Sequence, residues 1–221
     1  MNHPEKLAFT KFTRTEILVE SYDRFKKDIL DQEMFFLPYN MEVIIDHPAL
    51  IEGRNPLFWH LVGFSEEKRD IYKKQLYPPC TNTEFSEHCS FCSDDNPQII
   101  RLANENKIPC LFRSSYISFI LQIIDICNEL SDPTKKVGTN DSIEKSIKLW
   151  DIDNPQNAKE LLVFLMYSYG KTNYVILMRT VQNKKFLKIV SSFPVFEKDL
   201  KKEYKEKYGK AKRDGRKKIG P

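Results

Sequence analysis

The chain has 221 residues, 41% of them hydrophobic and 30% charged, which is the balance of a folded domain with a real core rather than of a disordered or fibrous chain. No apolar run approaches the roughly 18–20 residues that span a bilayer. The N-terminal MNHPEKLAFTKF lacks the apolar stretch of a secretory signal, so a cytoplasmic protein with no membrane partner is expected. Net charge is +4, but from Glu197 onward eleven Lys or Arg face five Asp or Glu, leaving the preceding residues slightly acidic.

In chain order, Thr13 and Glu16 have the spacing of a capping box. Ile17, Leu18, Tyr22, Phe25 and Ile29 then recur on one helical face to about Asp31. Met34–Leu37 is a short apolar run stopped by Pro38, and MEVII from Met41 to Ile45 alternates like a strand. Asn55–Phe64 (NPLFWHLVGF) is apolar except for His60 in its middle. Ser65 can cap a helix over EEKRDIYKKQL, whose two Glu residues suit the first turn. Residues 77–96 carry two prolines, three cysteines and many Ser, Thr and Asp without periodicity, and read as a Cys-rich loop or insertion.

Pro97 opens a predicted helix over PQIIRLANENK. A longer, mostly apolar helix from about Ser114 to Leu130 is expected to be the central buried one. After a polar linker over Ser131–Asp141, IKLWDI (147–152) reads as a strand and Asn154-Pro155 as a turn. Three further apolar runs between Leu161 and Phe196 follow, separated by short Gly-, Asn- and Lys-containing breaks. Such breaks make consecutive strands antiparallel neighbours. Helices followed by about four antiparallel strands define an α+β fold, a single domain over 1–221, with N-terminal helices packed on a C-terminal sheet. Residues 197–221 form a basic helix or tail.

Four cysteines have spacings that bear on metal binding. Cys89 and Cys92 form a C-x₂-C knuckle, with Cys80 before it and Cys110 after it. Four thiolates would close a structural zinc site, and a set of ordinary free cysteines is the other reading. The chain has no Walker loop, GxGxxG, HExxH or GxSxG, which argues against nucleotide hydrolysis, dinucleotide chemistry and serine hydrolysis. Asp125, Asp151 and Asp153 offer no spacing for a two-metal nuclease. What remains is basic and hydroxyl chemistry. Arg179 interrupts the apolar YVILMRTV, Ser191 and Ser192 end the last strand, Arg113 precedes the buried helix, and His60 sits in FWHLVGF. Each also has a structural explanation as an edge, capping or core residue.

PCLFRSSYISFILQIID, SIKLWDI, NYVILMRT and FLKIVSSFPVF together resemble the phage-associated members of the barnase/EndoU/colicin/RelE-like nuclease superfamily. There an Arg opens the helix, here Arg113, and the last strand ends in a Thr-Ala-Phe-Pro-like sequence, here Ser191-Ser192-Phe193-Pro194. FWHLVGF resembles the HLxG signature of one such group, with His60 and Gly63 at the matching positions. The resemblance covers residues 41–64 and 110–196. It departs at Ser191-Ser192, which keeps a hydroxyl, and at the Cys-rich segment, which does not align.

The resemblance implies a metal-independent endoribonuclease, a toxin or prophage-borne effector, acting on tRNA or mRNA without a catalytic cofactor and restrained by an inhibitor protein. In that reaction the 2′-OH attacks the adjacent phosphate, so the protein supplies acid/base groups and cations rather than a nucleophile. His60 would be the acid/base, Arg113 and Arg179 would hold the phosphate, and Ser191 or Ser192 would orient it. Lys188, Lys201, Lys202, Lys205, Lys210, Lys212, Arg213 and Arg216 are the candidate RNA-binding cations. The alternative is a non-catalytic RNA- or protein-binding module held by the zinc knuckle and contacting its partner through the tail.

Overall fold

The computed structural model describes residues 2–8, 13–68, 98–134, 141–170, 172–195 and 198–219. In chain order the elements are α1 (Arg14–Phe25), β1 (Met34–Phe36), β2 (Met41–Ile44), α2 (Pro56–Val62), β3 (Gly63–Ser65), β4 (Ile100–Arg101) and β5 (Asn106–Pro109). They continue with α3 (Leu111–Ser114), α4 (Phe119–Ser131), α5 (Asp141–Ser146), β6 (Ile147–Asn154), β7 (Asn157–Tyr169), β8 (Thr172–Val181), β9 (Phe186–Pro194), α6 (Lys198–Arg213) and β10 (Lys217–Ile219). The protein is of mixed α and β structure. Its residues gather into two compact units, each discontinuous in sequence: Glu5–Asp31 with Asp46–Ser118, and Met1–Pro4 with Gln32–Ile45 and Phe119–Pro221. The 110–196 span expected to carry the nuclease-like fold is thus shared between them.

The first unit holds α1, α2, α3 and a three-stranded antiparallel sheet of order β3-β5-β4. Thr13 starts α1 as the sequence indicates, its side chain accepting from the Glu16 amide at 3.3 Å. A wider π-type turn (Lys26–Leu30) extends the helix, with Asp31 as its cap. Ile17, Leu18, Phe25 and Ile29 are buried, and the Phe58 ring of α2 packs on Tyr22 and Phe25 at 5.0 and 5.6 Å between centroids.

Two expectations are corrected in this unit. The predicted helix over 97–107 is a β-hairpin where described: β4 and β5 pair, and Leu102 N donates to Glu105 O at 3.0 Å to close the turn. Ile99 is exposed and Ile100 buried, the two-residue alternation of a strand, and pairing with β5 overrides the single helical spacing of Ile99 with Leu102 and Ala103. The predicted helix over 114–130 begins only at Phe119, as α4, and a turn at 115–118 separates it from the short α3 that ends at Ser114. Serines compete for the backbone there: Ser114 Oγ donates to Cys110 O, Ser115 Oγ to Phe112 O and Ser118 Oγ to Glu5 O, at 3.0, 2.8 and 2.9 Å. Arg113 therefore belongs to the short α3 and does not open α4.

The second unit is a sheet of order β1-β2-β9-β8-β7-β6-β10. Its heart is the expected antiparallel succession β6-β7-β8-β9. The expected count of about four strands is too small. β2 adds parallel to β9, β1 adds beyond it, and β10 adds antiparallel to β6 at the other end. β2 is the strand that the alternation of MEVII indicates, whereas β1 and β10 have three residues each, too few for periodicity to reveal.

Both faces of the sheet are covered, so its central strands read as almost continuous apolar runs. On one face Phe119 of α4 packs edge-on against Tyr167 and Tyr174. On the other, Tyr204, Tyr208 and Ala211 of α6 pack on Trp150, Phe164, Met166 and Val175. Asn128 of α4 accepts from Leu37 N and donates to Phe35 O, tying β1 to that helix. Tyr39, in the turn between β1 and β2, donates to Asp151 Oδ2 on β6 at 2.6 Å. Three strands separate β2 from β6 in the sheet, so this reach requires a strongly curved sheet.

Candidate active site

The first unit brings one acid/base cluster together. Asn55 starts α2: its Oδ1 accepts from Leu57 N at 2.8 Å, its Nδ2 donates to Asp46 O at 3.0 Å, and Pro56 occupies the first helical position. Phe58, Trp59, Leu61 and Val62 are buried, and Trp59 Nε1 donates to Ile51 O at 2.7 Å. That packing leaves His60 as the half-buried residue of the last turn.

α2 passes into β3 at Gly63, and no other residue fits. A Cβ there would lie 2.7 Å from Trp59 O and 2.9 Å from Lys107 Cβ. The missing side chain lets β5 close on β3 with Gly63 opposite Pro109 and Ser65 opposite Lys107. Gly63 O accepts from Arg113 Nη1 at 2.8 Å. The His60-Leu61-Val62-Gly63 run thus has a physical content: it supplies the histidine and, three residues on, the one junction that admits Lys107 and anchors Arg113.

Across from His60 lies the β4–β5 hairpin. His60 Nδ1 is 2.9 Å from Glu105 Oε1, and Lys107 Nζ is 2.9 Å from Glu105 Oε2. One carboxylate therefore bridges an imidazole and an ammonium. Lys107 is 8% exposed, while His60 and Glu105 keep about a third of their side-chain surface open, at 28% and 31%. Desolvation is the largest influence on His60 and lowers its pKa. The Lys107 charge lowers it further, Glu105 opposes, and Arg113 adds a smaller lowering. The imidazole is accordingly neutral near pH 7, with its proton on Nδ1 facing the carboxylate and its Nε2 lone pair free to accept. A fixed-tautomer base beside two cations can take a proton from a hydroxyl and hold the negative charge that develops.

His60 and Arg113 were candidates from the sequence; Glu105 and Lys107 were not. The remaining candidates lie in the sheet unit. Arg179 is opposite Leu162 and Lys188 in register. An extra residue, Val190, is inserted between Ile189 (opposite Met178) and Ser191 (opposite Leu177). Ser191 and Ser192 project from opposite faces, as neighbours in a strand do, and the inserted residue decides which face each takes. Ser191 shares the face of Arg179 and Lys188. Ser192 is 1% exposed and accepts a 2.8 Å hydrogen bond from the Tyr174 hydroxyl. β9 lies between β2 and β8 in the sheet, with β2 paired to Phe186–Lys188 and the two serines paired to β8. Ser192 is a packing residue.

The basic tail is a helix over Lys198–Arg213 followed by β10, and its cations have different employments. Arg216 Nη2 pairs with Asp153 Oδ2 at 2.6 Å and its Nη1 lies 4.0 Å from Asp151 Oδ1. Lys202 lies 3.9 Å from Glu206. Lys201, Lys205, Lys210, Lys212 and Arg213 are also on α6. Of the cysteines proposed for zinc, Cys80, Cys89 and Cys92 lie outside the described residues. Cys110 is a buried free thiol whose pKa is raised by desolvation. Among the described residues no three His, Cys, Asp or Glu side chains are grouped to hold a metal ion, and no helix is long and apolar enough to cross a membrane.

No family model, no curated protein and no solved structure matches the chain.

Proposed function

We propose that the protein is a metal-independent endoribonuclease whose chemistry is carried by His60, Glu105, Lys107 and Arg113. The observation that supports this is the 2.9 Å contact of His60 Nδ1 with Glu105, made beside Lys107 and within range of the Arg113 charge. His60 Nε2 takes the proton of the ribose 2′-OH, and the 2′ oxygen bonds to phosphorus. The bond from phosphorus to the 5′ oxygen breaks, and that oxygen leaves with a proton from water. The imidazolium returns its proton to solvent. Arg113 and Lys107 hold the phosphorane charge, and Glu105 keeps the imidazole in the productive tautomer.

On this reading the substrate is tRNA or mRNA in the cytoplasm. The protein is a toxin or prophage-type effector restrained by an inhibitor protein, in keeping with the resemblance carried by the HLVG and FRSSY motifs. Incubation of purified protein with tRNA or total RNA in excess EDTA tests it. Fragments ending in 2′,3′-cyclic phosphate with 5′-hydroxyl partners are expected, and intact RNA overturns the reading.

A further inference from the structure

Charge on α6 is segregated around the helix. At 3.6 residues per turn, Leu200, Tyr204, Tyr208 and Ala211 line one side, and these are the residues that pack on the sheet. Glu203 lies on one flank of that side and Glu206 faces away from it, the two paired with Lys207 at 2.6 Å and with Lys202 at 3.9 Å respectively. Lys201, Lys205 and Lys212 fall within about 40° of one another around the axis, directly beside the buried side, and no acidic residue of α6 shares their stripe. Lys205 and Lys212 are exposed and Lys201 half-buried.

The sheet extends this stripe. Lys148 of β6 holds its ammonium 5.5 Å from the Tyr208 ring centroid. Burial lowers its pKa, and the Lys205 charge lowers it further, so the two like charges press on each other. Four cations with no acid of the helix between them raise the energy of the free protein and release that energy to a polyanion.

We propose that Lys148, Lys201, Lys205 and Lys212 form a track for the phosphate backbone of single-stranded RNA. The proposal rests on the reading that RNA is the substrate, and it assigns where the strand is held, apart from where it is cut. From Lys201 to Lys212 the track is about 16 Å long at the helical rise. None of its residues is aromatic, so it grips phosphates and reads no bases. It also divides the tail cations: Lys202, Lys210 and Arg213 lie off the stripe, and Arg216 is spent on Asp153.

The test uses the full chain carrying His60→Ala, which binds without cleaving, and a fluorescein-labelled 20-nucleotide oligo(U). Affinity is measured across a salt series. Added to that background, K148Q/K201Q/K205Q/K212Q is expected to weaken binding at least tenfold at low salt and to reduce the slope of log Kd against log salt by about 3. K202Q/K210Q/R213Q in the same background is expected to stay within twofold, with both variants keeping the parental melting temperature. Unchanged RNA affinity in the quadruple variant overturns the track, as does an equal loss in the control. Binding to poly-L-glutamate that exceeds RNA binding and disappears in the quadruple variant assigns the stripe to an acidic protein and also overturns it. A chain that binds RNA through the stripe yet cleaves none supports the track while removing the catalytic reading.

Discussion

His60 Nδ1 and Glu105 Oε1 lie 2.9 Å apart, joining the last turn of α2 to a hairpin distant in sequence. Because the same carboxylate also takes the Lys107 ammonium, the imidazole is oriented by a group already held in place. That orientation separates this histidine from one that is merely solvated, and it makes the first prediction narrow.

Replacing His60 with Ala should reduce RNA cleavage by about 10²–10⁴-fold, the usual contribution of a general base, with little change in RNA affinity. Single-turnover cleavage rates beside equilibrium binding check this. Loss of binding equal to the loss of rate would move His60 from chemistry to docking.

Cleavage should decline on the acid side as His60 protonates, below the 6.5 of an unperturbed imidazole because burial and Lys107 depress its pKa. Glu105 favours the imidazolium, so Glu105→Gln should move this acidic limb to lower pH while lowering the plateau through loss of the fixed tautomer. Lys107 disfavours the imidazolium, so Lys107→Gln should move the limb to higher pH. Opposite displacements in the pH profile of kcat/KM are the expected signature, and parallel ones would remove the cluster from the mechanism.

Gly63→Ala places a methyl group against the Trp59 carbonyl and Lys107 Cβ. Neither is the free end of a flexible side chain, so β3 and β5 must part. Overpacking of this kind costs about 1–3 kcal/mol. Activity should fall further than stability, because the same shift moves Lys107 and loosens the Arg113 contact to Gly63 O. Denaturant melts and cleavage rates on one preparation compare the two losses.

Ser192→Ala should leave cleavage near its parental rate and destabilise the fold by about 0.5–1.5 kcal/mol, since it removes the acceptor of the 2.8 Å hydrogen bond from the Tyr174 hydroxyl. Denaturant melts beside cleavage rates check the two. A Ser192→Ala protein of full stability with depressed cleavage would return this serine to the site.

Much of the fold was legible in sequence because its signals are local. Thr13 and Glu16 mark the start of α1 within one turn, and the four long strands β6–β9 announce themselves by composition and by the breaks between them. The misreadings arise where long-range pairing or a competing hydrogen bond decides. Three serine hydroxyls, one of them reaching Glu5 O, compete for the backbone ahead of Phe119, where the predicted helix begins. β1 and β10 are strands because β2 and β6 offer them partners. Ser191 and Ser192 look equivalent until the inserted Val190 is seen. His60 and Arg113 stand out by type in apolar surroundings. Glu105 looks like a helix-former in a charged stretch, and only the hairpin that carries it to His60 gives it a role.

The division of the chain into discontinuous units bears on its synthesis. The segments Glu5–Asp31 and Asp46–Ser118 complete one unit before the second half of the chain has been translated. The other unit draws on Met1–Pro4 and Gln32–Ile45 and takes a strand from as far on as Lys217–Ile219. During translation β1 and β2 must wait unpaired with β9 until the rest of the sheet emerges, and β10 joins after β9. On the proposed division of labour, the histidine cluster is assembled while the lysine track is still unmade.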